Sequence, residues 1–97
     1  MLLENVIKPN DVITLKLVTG EEILATLWTD GVDHITVTRP AVIARSPDGG
    51  MGMIPWMITG ASERVNISRH SVITYCATDP DIAKAYTEST TGLQLPK

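Results

Sequence analysis

Hydrophobic and polar residues alternate with a period of two along most of the chain, the pattern of strands that bury one face. In Val12-Ile13-Thr14-Leu15-Lys16-Leu17, Ile13, Leu15 and Leu17 fall on one face and Thr14 and Lys16 on the other. Thr19-Gly20-Glu21-Glu22 reads as a tight turn, because Gly20 adopts positive φ without steric cost. From Glu22 the alternation resumes, with Ile23, Ala25 and Leu27 inward and Thr26 and Trp28 outward. Asp30-Gly31 is a second turn signal. Beyond it, Asp33 to Thr38 sets Ile35 and Val37 against His34, Thr36 and Thr38, and the strand continues through Val42 and Ile43 with Pro40 at a bend or an edge. Ser46-Pro47-Asp48-Gly49-Gly50 is the strongest loop. After it come a strand over about 51–59 interrupted by Pro55, a short strand at Val65-Asn66-Ile67-Ser68, and another at Val72-Ile73-Thr74-Tyr75-Cys76.

About five strands joined by short turns predict a mainly β fold, a small and strongly bent antiparallel barrel rather than a sandwich. Helix is expected only at the ends. Leu2, Leu3, Val6 and Ile7 have helical spacing before Pro9. Asp79-Pro80 supplies an N-cap and a first-turn proline ahead of Asp81-Ile82-Ala83-Lys84-Ala85-Tyr86, and Ser89-Thr90-Thr91-Gly92 reads as tail. Residues 1–78 are thus expected as a barrel domain with its N-terminal helix, and 79–97 as a helix and flexible tail.

Composition narrows the function classes. The 97 residues are 43% hydrophobic, enough for one modest core, and no stretch approaches the ~18 uncharged apolar residues of a membrane span. The first residues lack the basic region and small-residue cleavage site of a signal peptide. With one cysteine, Cys76, no internal disulfide forms, so a reducing cytoplasm is the expected compartment and Asn66-Ile67-Ser68 is only nominally a glycosylation sequon. A net charge of −3 argues against a generic DNA coater, and with Phe absent and only Trp28, Trp56, Tyr75 and Tyr86 as aromatics, a broad aromatic platform for bases is not expected.

Two segments resemble the Sm/LSm family, which includes bacterial Hfq. Leu17-Val18-Thr19-Gly20-Glu21-Glu22-Ile23-Leu24-Ala25-Thr26-Leu27 is similar to the start of the first Sm motif, with Ala25 where the family often has glycine. Asp33-His34-Ile35-Thr36-Val37 resembles that motif's end, Asp-x-His-Met-Asn-Leu, with Thr36 in place of asparagine and the acidic residue one place late. Ile67-Ser68-Arg69-His70-Ser71-Val72-Ile73-Thr74 is similar to the second motif, Ile-Arg-Gly-x-x-Ile, with His70 for glycine, and equally to the Tyr-Lys-His-Ala-Ile-Ser-Thr of Hfq. The resemblance spans roughly residues 2–77. It implies a homo-oligomeric ring of about five to seven subunits, in which strands near 53–58 and 72–76 of neighbouring copies pair.

The resemblance further implies a pocket for single-stranded RNA, U-rich or A-rich, in which His34 and Arg69 stack on a base. Thr36 offers a poorer hydrogen-bonding group than asparagine, and His70 adds a second ring or a hydrogen bond. Plainer readings stand beside these: His34 as a solvent-facing strand residue and His70 as a turn residue bonding the backbone. Arg69 lacks an obvious local partner in the sequence. Trp28 is expected under the N-terminal helix or at a subunit contact, Met51, Met53 and Met57 as core or interface filler, and Cys76 as a small buried hydrophobe. The Ser46–Gly52 stretch lacks the Gly-Lys-Ser/Thr of a phosphate loop, and two isolated histidines with one cysteine make no metal set. No catalytic constellation appears, so neither enzyme activity nor a cofactor is expected. The alternative to RNA binding is a structural or protein-binding ring, an assembly or adaptor component, toward which the acidic net charge points.

Overall fold

The computed structural model describes residues 6–90. Its elements run β1 (Val12–Leu17), β2 (Glu22–Asp30), β3 (His34–Arg45), β4 (Met51–Pro55), β5 (Arg64–Ser68), a 3-10 turn (Arg69–Ser71), β6 (Val72–Ala77) and α1 (Pro80–Thr90). All strand pairings are antiparallel, in the order β4-β3-β2-β1-β6 with β5 also paired to β3. Among the described residues the ladder ends at β6 on one side and at β4 and β5 on the other, so the sheet stays open. The helix expected around Leu2 and Leu3 lies mostly outside the described residues; Val6 to Lys8 are not helical, and Pro9-Asn10 is a turn.

The expected strand over 51–59 is shorter than the pattern suggested. It stops at Pro55, and residues 56–63 leave the sheet before β5 rejoins the same edge of β3. Ala41↔Pro55 and Thr38↔Arg64 are the flanking register points, so β4 and β5 are two halves of one edge. The excursion is anchored at both feet: the Trp56 N–H donates to the Pro40 carbonyl (2.9 Å) and the Arg39 N–H to the Glu63 carbonyl (3.3 Å). Pro40 does mark a bend. Arg39 before it has φ +48°, and β3 carries one extra residue there relative to β2.

Bonding parity explains how Pro55 is tolerated. At the hairpin tip the Ser46 N–H donates to the Gly50 carbonyl (2.9 Å), and at the base Trp56 bonds Pro40, so even-numbered residues of β4 bond β3. The main-chain groups of Met51, Met53 and Pro55 therefore face the open edge, where a missing N–H costs no ladder bond.

The alternation produces one inner core. Ile13, Leu15, Leu17, Ile23, Ala25, Leu27, Ile35, Val37 and Ile67 are all buried there, with Ile7, Trp56, Val72 and Tyr75 packed around them. On the outer face α1 covers a smaller cluster. Asp79 caps the helix, its carboxylate accepting from the N–H groups of Asp81 (2.9 Å) and Ile82 (3.3 Å). Tyr86, 1% exposed, packs on Leu24 and Ala41 and donates to the Arg39 carbonyl (2.7 Å), tying the helix to the bend in β3. Ser89 and Thr90, expected as tail, are helical.

Several side-chain expectations change. Cys76 is exposed on the edge strand β6, because its face carries no covering layer there. Met53 is half-buried against the outer cluster, whereas Met51 and Met57 are exposed. Trp28 is the extra residue of a bulge in β2, 40% exposed, with the Arg64 guanidinium 3.8 Å from its ring centroid.

Candidate nucleic-acid interface

Two turns meet at one corner of the sheet. The β2–β3 turn carries Gly31 to Asp33, and the β5–β6 corner carries Arg69 and His70 in the 3-10 turn. Gly31 is required here: a Cβ on it would stand 2.9 Å from the His34 carbonyl, to which its own N–H donates (3.0 Å). Across the corner the Arg69 N–H donates to the Asp33 carbonyl (3.0 Å), and His34 pairs in register with Ser68. The main chain thus gathers His34, Arg69 and His70.

Arg69 differs most from expectation, because it has close partners. Its Nε–H donates to the Gly31 carbonyl (2.9 Å), and its Nη2 forms an ion pair with the Asp30 carboxylate. The second oxygen of Asp30 accepts the Tyr75 hydroxyl. That carboxylate next to it raises the Tyr75 pKa, with partial burial adding to the effect. The guanidinium is held by two acceptors, and the Arg69 side chain is still about two-fifths exposed. A pinned planar group suits stacking, since little side-chain freedom remains to be lost on contact.

The other expected residues are arranged differently. His34 and His70 are exposed, and their rings make no hydrogen bond among the described residues; the His70 N–H caps onto the Ser68 hydroxyl (3.2 Å). By strand alternation His34 shares a face with Thr36, whereas Asp30 pairs with Ile35 on the other face and draws the Arg69 guanidinium there. His34 and Arg69 are therefore neighbours in backbone without being poised around a common space. Thr36 is buried and its hydroxyl donates to Asn66 Oδ1 (2.8 Å), so that hydroxyl proton is not free for a ligand.

Asp30, Gly31, Tyr75 and Asn66 complete this corner and were not singled out from sequence. Only Asp30-Gly31 carried a signal, as a turn. Among the described residues no group of three or more His, Cys, Asp or Glu side chains could hold a metal ion, and no helix is long and apolar enough to cross a membrane. No protein-family model and no curated protein matches the chain.

Proposed function

We propose that this chain is an Sm-like barrel protomer that closes into a ring of about five to seven copies and holds single-stranded RNA by stacking at the Arg69 corner. Ring formation is supported by two open edges, those of β5 and β6; β5 takes the place expected for the strand near 53–58, because the chain leaves the sheet after Pro55. Among the described residues, parity leaves the main-chain groups of Arg64, Asn66 and Ser68 unpaired on β5, because Arg69 bonds Asp33 and Arg39 bonds Glu63. On β6, among the described residues, it leaves those of Tyr75 and Ala77, because Thr78 bonds Val12; Ile73 is the extra residue of a bulge that interrupts the ladder there. Two short edges, one bearing the exposed Ile73 side chain, suit pairing between copies, and closure removes both.

The observation that carries the RNA reading is the part-exposed Arg69 side chain, its guanidinium fixed by Asp30 and Gly31, at a corner that also presents His34 and His70. Because Asp30 matches its charge, the contact is dominated by stacking, and few counterions leave on binding. The same ion pair favours the second reading, a ring that binds protein or only scaffolds, since an acidic protomer with a neutralised arginine attracts polyphosphate weakly. Titration of the assembled protein with short U-rich and A-rich oligonucleotides at low and moderate salt separates the two. Saturable binding with a shallow salt dependence, lost in Arg69→Ala, supports RNA; no binding at low salt supports the scaffold.

A further inference from the structure

Between the bend of β3, the 56–63 excursion and the end of α1 lies a cavity of about 420 Å³, a size that takes two or three side chains. Met53, Pro55, Met57 and Val65 line it, so its walls are largely apolar. Arg39 also lines it: Nη1 donates to Glu63 (3.1 Å), while Nε is buried with no acceptor among the described residues. Donors are in excess there, and Glu63 already balances the charge, so the complement is a neutral acceptor rather than a carboxylate.

The cavity adjoins the open edge of β4. Met51 and Met53 direct their N–H and C=O groups outward on that edge, and Met51, Ile54, Met57 and Ile58 are exposed beside it. Pairing of β5 with β6 between copies would leave this edge unused.

From the open edge, the adjoining cavity and the unsatisfied donor together, we infer that β4 is a docking strand for an extended, uncharged apolar peptide of a partner protein. The peptide adds as a further strand on Met51–Pro55, seats its apolar side chains in the cavity and directs a backbone carbonyl toward the Arg39 guanidinium, whose side chain adjusts slightly to bring Nε to it. A peptide main chain supplies the alternating donors and acceptors the edge lacks, whereas a simple apolar ligand would leave them unpaired.

The probe is an end-capped octapeptide of alternating valine and threonine with one central leucine, against the same sequence N-methylated at every residue. Amide NMR shifts of the full-length chain are followed during titration. The unmodified peptide is expected to bind and to shift Met51 and Met53, the methylated one to bind at least about tenfold more weakly. Ala61→Glu, an exposed change at the cavity wall, is expected to weaken binding about tenfold with the melting temperature unchanged. Equal binding of both peptides, shifts confined to β6, or no binding up to about 1 mM overturns the inference. Self-association through β4, blocked by Met53→Lys without any peptide effect, would overturn it in favour of a second copy. Ring formation is read separately by mass, so failure here leaves the ring proposal standing.

Discussion

Strand β3 has two ends that solve the same problem in opposite ways. Its start, at His34, is held between β2 and β5, and the polar groups around it are closed on one another: Arg69 with Asp30 and Gly31, Tyr75 with Asp30, Thr36 with Asn66. Its far half, beyond the bend at Arg39, has β4 on one side, an excursion in place of continuous strand, and a guanidinium nitrogen left without an acceptor among the described residues. The first end is pre-organised, and the second is open and apolar. Polar satisfaction fixes geometry, which suits a contact that needs a plane held still. Unsatisfied edges and apolar cavities supply driving force, which suits docking of another chain.

The largest expected effect breaks the far end. Tyr86→Ala removes a buried ring and the bond to the Arg39 carbonyl, and should cost about 3–5 kcal/mol by urea denaturation. Tyr86→Phe keeps the packing and should cost only about 1 kcal/mol. A loss of similar size in both would mean that the hydroxyl, not the ring, holds α1 to the bend.

Much of this architecture is legible in the chain, and the remainder fails for a consistent reason. Alternation in 12–17, 22–28 and 34–38 reports burial of one face, so it locates strands, and Asp79-Pro80 reports a helix start through local capping chemistry. Asp30 looked like turn punctuation because its partners lie 39 and 45 residues away, and no local pattern encodes them. The excursion after Pro55 was hidden similarly: Trp56, Met57 and Ile58 continue the apolar character of a strand while the main chain departs from β3. The exposure of Cys76 is not encoded locally either, because an apolar strand pattern marks a face without saying whether that face is covered.

At the closed end the expected effects are smaller. Arg69→Ala in the assembled protein should weaken oligonucleotide binding by about 1–3 kcal/mol, read by anisotropy, with the loss persisting at moderate salt. Asp30→Asn should cost about 1 kcal/mol of stability, because the pair is partly exposed, and should steepen the salt dependence by releasing the Arg69 charge. An unchanged salt slope in that variant would show that Arg69 does not meet the nucleic acid.

The smallest effect is alkaline. The Asp30 carboxylate raises the Tyr75 phenol, and burial raises Tyr86, so both pKa values are higher folded than unfolded. The stability they contribute is complete below the ordinary phenol value of about 10 and is lost as pH rises through the raised values. Melting temperature should therefore fall above pH ~10, less steeply in Tyr75→Phe. A parallel fall in that variant would remove Tyr75 as a cause.

In the proposed ring the open β5 and β6 edges are satisfied by neighbouring copies. Light scattering of the full chain at micromolar concentration tests it directly. A single species of about five to seven protomer masses, reduced to monomer by Tyr75→Pro on the β6 edge with retained β circular dichroism, is the expected result. A stable monomer of the unaltered chain at that concentration would contradict it.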